Sequence, residues 1–170
     1  MSSPVFLYDA GMKNKTLAAW LAFVGGPLGL HRFYLFGLSD TLGWLLPIPT
    51  ALGFWGFERV AELGVDDVLS WWLIPIFGFC FAACALNAIV YGLMSAERWN
   101  ARFNPQAPES SAAGRSNWLT VGAIALALLV GTTVLMSSIV YSIQRYFEVQ
   151  IELDLELQVK PNLVNLIMCS

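Results

Sequence analysis

The chain has 170 residues, of which 57% are hydrophobic, 14% aromatic and only 12% charged, with a formal net charge of −3. A soluble domain carries about 25% charged residues, so this chain has too little polar surface to cover a water-facing globule. The mean hydropathy of +0.63 implies a lipid bilayer as solvent, and the basic footprint of a nucleic-acid binder is missing.

Residues 1–12 form an N-terminal tail, "MSSPVFLYDAGM". It does not read as a signal peptide, because the positive charges come late and no small-residue cleavage site follows the apolar run. The N-terminus is expected to be retained. Two short apolar runs come next. A bilayer core about 30 Å thick takes about 20 helical residues to cross, and "TLAAWLAFVGGPLGL" (16–30) falls short of that. "TLGWLLPIPTALGFWGF" (41–57) holds Pro47 and Pro49, each of which removes a backbone donor whose absence must be made good in lipid. Together the runs predict a tight helical hairpin from Lys15 to about Leu63, with its bend in "GGPLGLHRFYLFG" (25–37). A pair of interfacial or re-entrant segments is the alternative.

The bend has a local logic. Gly25, Gly26 and Pro27 interrupt the helix, and Gly29 permits close backbone approach. Arg32, at the end of a segment, can snorkel to the interface, so His31 and Arg32 are expected among headgroups, with Phe33 and Tyr34 as aromatic anchors. A role for His31 as a proton relay or metal ligand is the competing reading, but the further ligands of a metal site are missing.

At these residues the sequence resembles the TM2 domain family, a two-helix membrane module. The matching positions are Lys13, Lys15, Gly26, Gly29, His31, Arg32, Phe33, Tyr34, Leu35 and Gly37, with a second helix from Thr41 to about Leu63 ending in "GFWGFE". The resemblance covers residues 13–63 and implies a hairpin topology, an integral protein of the bacterial inner (cytoplasmic) membrane, and no particular activity. Phe36 is inserted before the closing glycine, the usual aspartate late in the second helix is replaced by Glu58 or displaced, and the paired prolines depart from the pattern.

The third and fourth transmembrane helices are expected within residues 64–99 and 118–144, separated by a polar linker over 100–117. "VLSWWLIPIFGFCFAACALNAIVYGLMSA" (68–96) and "SNWLTVGAIALALLVGTTVLMSSIVYSIQ" (116–144) are both free of Asp, Glu, Lys and Arg. Trp71, Trp72, Trp99, Trp118, Tyr141 and Tyr146 flank them as an interfacial belt. Cys80, Cys84, Ala88, Gly92 and Ala96 form a small-residue stripe, and Ala123, Ala127 and Gly131 a shorter one. Such stripes let helix backbones approach in lipid, here within the chain or against a second copy, although Gly and Ala are also simply common in membrane helices. Asn87, beside the first stripe, is expected to bond across helices; a transport role would need partners that are not visible. Cys80, Cys84 and Cys169 supply neither a disulfide framework nor zinc spacing, and no metal or cofactor is expected.

From residue 145 to 170 the character changes. "FEVQIELDLELQVK" alternates apolar and polar residues, the period of a β-strand, so a strand or hairpin tail needing a pairing partner is expected. The expected fold is thus an all-α integral membrane protein with about four transmembrane helices, the first two a short TM2-like hairpin, and a short C-terminal β tail.

No catalytic constellation can be assembled from one histidine and so few titratable groups. The expected function is non-catalytic: a structural or protein-interaction module acting through helix packing and its tail. Its partners would be the bilayer and a second copy or another membrane protein. A small transporter or channel subunit is the alternative. Lys13 and Lys15 favour a cytoplasmic N-terminus. Four crossings would bring the tail back to that side, whereas three would export it and leave Arg98, Arg102 and Arg115 inside.

Overall fold

The computed structural model describes residues 11–106 and 111–168, and every regular element within them is helical. Helix α1 (Lys15–Val24) leads through a 3₁₀ turn at Gly26–Leu28 into α2 (Leu30–Phe36). Helices α3 (Thr41–Leu45) and α4 (Pro47–Leu63) follow, separated only by Leu46. Then come α5 (Val68–Leu93), α6 (Ala96–Phe103), a 3₁₀ turn at Ala112–Gly114, and α7 (Trp118–Met168). Residues 1–10, most of the expected N-terminal tail, and Cys169 lie outside the described residues.

Side chains of the right chemistry start these helices. Asn14 caps α1, Asp40 α3, Asp67 α5 and Ser95 α6, each accepting from a free N–H of the first turn. Asp67 is also gripped by Arg59 through two bonds of 2.9 and 2.7 Å. Those bonds, and then the Ser70 hydroxyl, hold its carboxyl well below the usual carboxylate range.

The chain folds back and forth along α5. Helix α1 descends from Met94, which Lys15 contacts, to Cys84, which faces Gly26. Helix α2 climbs again, setting His31 beside Tyr91 and Phe36 beside Phe103. The α3–α4 pair then descends with Gly53 on Phe77, Gly56 on Leu73 and Arg59 on Asp67. Helix α7 runs antiparallel to α5.

The α5–α7 seam is regular. Gly78 faces Ser138, Ala85 faces Gly131, and Gly92 faces Ile124. Each contact lies seven residues from the next on both helices, in opposite directions, as in an antiparallel coiled coil. One small residue at every level lets the backbones close in. Ala127 and Ala123 are fully buried on α7, while Ala88 meets both Ala22 of α1 and Ala127. Cys84 packs on Gly26, and Cys80 is half-buried. The two stripes therefore serve contacts within the chain.

Two expectations are overturned. Two helices, not four, are long and apolar enough to cross a membrane: α5, and α7 through its apolar part. Helix α1 has 10 residues, about 15 Å at 1.5 Å per residue. The α3–α4 pair is broken at Leu46 by the prolines and ends among Glu58, Arg59 and Glu62. The outward sides of both long helices remain apolar, with Leu86 60% and Leu129 67% exposed. A core helix of a soluble protein would have those sides covered.

The second correction concerns the tail. There is no strand among the described residues, because α7 continues as one 51-residue helix. Extending a formed helix escapes the cost of nucleation, and Leu, Glu and Gln are good helix formers. Bonds at helical spacing favour the same outcome: Arg145 to Glu148, Gln144 to Glu148 and Gln150 to Tyr146. The alternation then places Phe147, Ile151 and Leu155 on one row of the helix and Leu153 and Leu157 on another, all of them exposed.

The seam predicts an asymmetric response to alanine. A Cβ on Gly78 would overlap Ser138 and one on Gly131 would come 2.7 Å from Ala85, whereas Gly122 faces open space. Gly78→Ala and Gly131→Ala are expected to destabilise by about 1–3 kcal/mol through overpacking. Gly122→Ala is expected to be neutral or stabilising. Thermal unfolding of the three variants in detergent checks this.

Candidate functional site

Polar chemistry collects where α5 ends and α7 begins. The Lys13 backbone N–H donates to Asn104 Oδ1 at 2.8 Å, and the Lys13 carbonyl accepts from Trp99 Nε1 at 2.7 Å and from Asn104 Nδ2 at 3.1 Å. Lys15 is buried, with its ammonium donating to the Met94 carbonyl at 2.8 Å and to Ser116 Oγ at 2.6 Å. Those acceptors are neutral, and burial lowers the Lys15 pKa. The Lys13 ammonium donates to the Leu35 carbonyl, and Asn14 N–H to the Tyr34 hydroxyl at 2.7 Å. Trp99, expected in the interfacial belt, is instead fully buried with Ala18, Leu35 and Phe103. Helix α6 thus fastens the start of α1 to the end of α5. Sequence reasoning missed this cluster, whose partners lie about ninety positions apart.

The glycine-rich bend sits just below. Gly29 adopts φ 75°, in the left-handed region, and a Cβ there would collide with the Gly43 carbonyl. That carbonyl has no helical N–H donor, because the residue four positions on is Pro47. The close approach of a residue lacking Cβ covers the exposed oxygen. Arg32 pairs with Asp40 at 2.5 and 3.2 Å and lies 5.1 Å over the Phe36 ring, while Asp40 also caps Gly43 N at 2.9 Å. The Arg32 bond is the main reason the Asp40 carboxyl titrates low. Phe33 stacks edge-on against Trp44, and Gly37 closes the bend at φ 84°.

His31 is where expectation and structure part. The sequence placed it among headgroups, yet it is fully buried beside Tyr91, and neither ring nitrogen has a hydrogen-bond partner. Leaving a buried polar group unpaired costs about 1–3 kcal/mol. Burial, and then the Arg32 charge, lower its pKa to about 4 against the opposing pull of Asp40. A cavity of about 210 Å³ adjoins it, lined by His31, Arg32 and Asn87 together with Leu42, Leu45, Leu46 and Pro49. Asn87 and His31, read as separate features of the sequence, thus share one cavity.

A larger recess of about 500 Å³ opens at the other end, between α5 and α7 beyond the Gly78–Ser138 contact. Trp71, Trp72, Pro75 and Phe79 line it with Arg145 and Tyr146. Arg145 is pinned between the Trp71 and Tyr141 rings and bonds Glu148. Its walls are almost wholly apolar and suit lipid chains better than a reaction.

No protein-family model, curated protein or solved structure matches this chain. Among the described residues no group of three or more His, Cys, Asp and Glu side chains is placed to hold a metal.

The buried imidazole gives a pH signature. Its folded pKa lies below the ordinary value, so the unfolded chain binds a proton first as pH falls, and stability drops between about pH 6.5 and 4. The loss should approach about 3 kcal/mol. His31→Phe should flatten the dependence in that window, because the low-titrating carboxylates Asp40 and Asp67 act at lower pH. Melting temperatures of both proteins across pH 4–7 test the assignment.

Proposed function

We propose that this chain is a non-catalytic integral membrane protein of the TM2 type that anchors a helical rod at the membrane for recognition by a partner. The observation that carries the reading is the extension of α7. In the seam register, Glu148 lies level with the start of α5, so the helix beyond it stands clear of the bundle for about 30 Å. Along that length Ile151, Leu153, Leu155 and Leu157 are all more than half exposed. Apolar rows of this kind mark an interaction surface. The small-residue stripes are already engaged inside the chain, which leaves this extension as the surface for a second copy or another membrane protein.

Charge gives the proposed orientation. Lys13, Lys15, Arg32, Arg98, Arg102 and Arg115 collect at the end where α1 starts, whereas Arg59 and Arg145 lie near the other end of the bundle, with Glu58, Glu62, Asp66 and Asp67, and Lys160 follows on the extension. The positive-inside rule assigns the basic end to the cytoplasm. The N-terminus is then cytoplasmic and the α7 extension stands on the opposite side, in a bacterial cell outside the inner membrane, with the broken α3–α4 pair, which follows α5 down to Asp67, making the third passage between the two sides.

The small cavity beside the α3–α4 break favours the transporter reading, since irregular backbone is tolerated where it lines a cavity. The Ala22–Ala88–Ala127 contact and the α5–α7 seam argue against a path through the bundle. Proteoliposomes are expected to show no flux dependent on His31 or Asn87.

Two measurements test the main reading. Crosslinking the full chain in membranes should yield a stoichiometric partner or self-oligomer, and truncation after Glu148 should abolish it while the melting temperature of the bundle stays unchanged. An adduct that survives the truncation, or no adduct in the full chain, overturns the proposal. Reporter fusions after Gly37 and at the C-terminus should report opposite compartments.

A further inference from the structure

Three features compete for an unassigned role: the apolar recess near Arg145, the Cys80–Cys84 pair, and the cavity beside His31. In the first, the one cation is neutralised by Glu148 and stacked on aromatic rings. In the second, two thiols have no third ligand. The third alone combines a cavity with buried polar atoms that lack a partner.

The chemistry of its wall narrows what it would take. A neutral imidazole offers one donor and one acceptor, and the Asn87 amide offers both kinds as well. Leu45 adds a backbone carbonyl that has no helical donor, because the residue four positions on is Pro49. Arg32 lines the cavity too, but its charge is already matched by Asp40 in a two-bond pair. The wall is thus electrically neutral overall, with donors and acceptors both on offer. An anion finds little uncompensated charge there, and an ammonium finds no free carboxylate. A hydroxyl, which gives one hydrogen bond and accepts others, satisfies both kinds of wall group at once.

Size agrees, and access needs one small motion: both His31 ring nitrogens are closed to a water-sized molecule, so the ring must turn toward the cavity for a ligand to reach them. About 210 Å³ is well above the roughly 30 Å³ of one water and below the roughly 300–1,000 Å³ of drug-sized pockets. Leu42 and Leu45, on its rim, are more than half exposed, so an apolar tail can lie along α3 while a small polar head enters. The site lies near Tyr91, within the last turn of α5, and the end of a membrane-spanning helix is the level of the polar headgroup region.

We propose that this cavity binds the hydroxylated head of a neutral glycerol amphiphile from the bilayer, with His31 and Asn87 as its hydrogen-bonding partners and Leu42 and Leu45 guiding the chain. The site is separate from the α7 extension and stands or falls independently of the partner-recognition reading. Occupancy would supply the hydrogen bonds that the His31 ring lacks. The ligand would also bridge α2, α3 and α5.

The single histidine makes the test direct. Full-length protein labelled with ¹⁵N-histidine is titrated in detergent micelles with 1-monooleoylglycerol, with methyl oleate, which lacks hydroxyls, and with inorganic phosphate. The expected result is a saturable shift of the His31 ring nitrogens with monooleoylglycerol alone. Native mass spectrometry should show one bound molecule. Asn87→Leu, and separately Leu42→Trp at the exposed rim, should each weaken binding at least tenfold, and the second keeps the test open if the first does not fold. No shift with monooleoylglycerol, an equal response to methyl oleate, or a response to phosphate alone overturns the proposal. So does a ring that reports water under every condition.

Discussion

Helices in lipid gain little from hiding apolar surface, because the solvent is itself apolar. What holds this bundle together is contact distance, and contact distance is set by the seven-residue seam of α5 on α7. Gly78, Ala85 with Gly131, and Gly92 remove side-chain bulk at successive levels, so many weak dispersion contacts accumulate where larger residues would hold the helices apart. The next level down is Trp71 with Arg145. There large side chains replace the small residues, and the apolar recess opens beside them. One repeat therefore explains both the tight half of the bundle and the open half.

The remaining helices are fitted to that pair by polar devices at either end. At the basic end, Lys15 reaches both the end of α5 and the approach to α7, while Trp99 and Asn104 hold the Lys13 backbone. At the other end Arg59 and Asp67 tie α4 to the start of α5. Between them the α3–α4 break is accommodated by Gly29, whose missing Cβ admits the Gly43 carbonyl.

The two long apolar helices were legible because their evidence is local: length and an absence of charge. The tail was misread for a related reason. Alternation from Phe147 onward is a strand signal taken alone, but the segment inherits a helix already running through 118–144, and chain continuity outweighed the pattern. The bend was readable as a bend, since Gly29 and the prolines carry their geometry with them. The burial of His31 was not, because it depends on Tyr91, sixty residues away. The same holds for Trp99: a tryptophan near the end of a span looks interfacial until α6 is seen to fold it under α1. The small-residue stripe has a period of four in the sequence, whereas the seam uses seven, so Gly78 and Ala85 do not stand out until α7 is laid against α5.

Helix α7 has one further consequence. It is continuous from Trp118 to Met168, and up to Pro161, which lacks a backbone donor, the part gripped by α5 and the part standing clear are a single stiff body. A lever of this shape converts a slight change of inclination among the lipids into a sweep of its free tip through several ångströms. In the proposed orientation a partner at the far end would therefore meet a surface whose position is set by the tilt of the bundle.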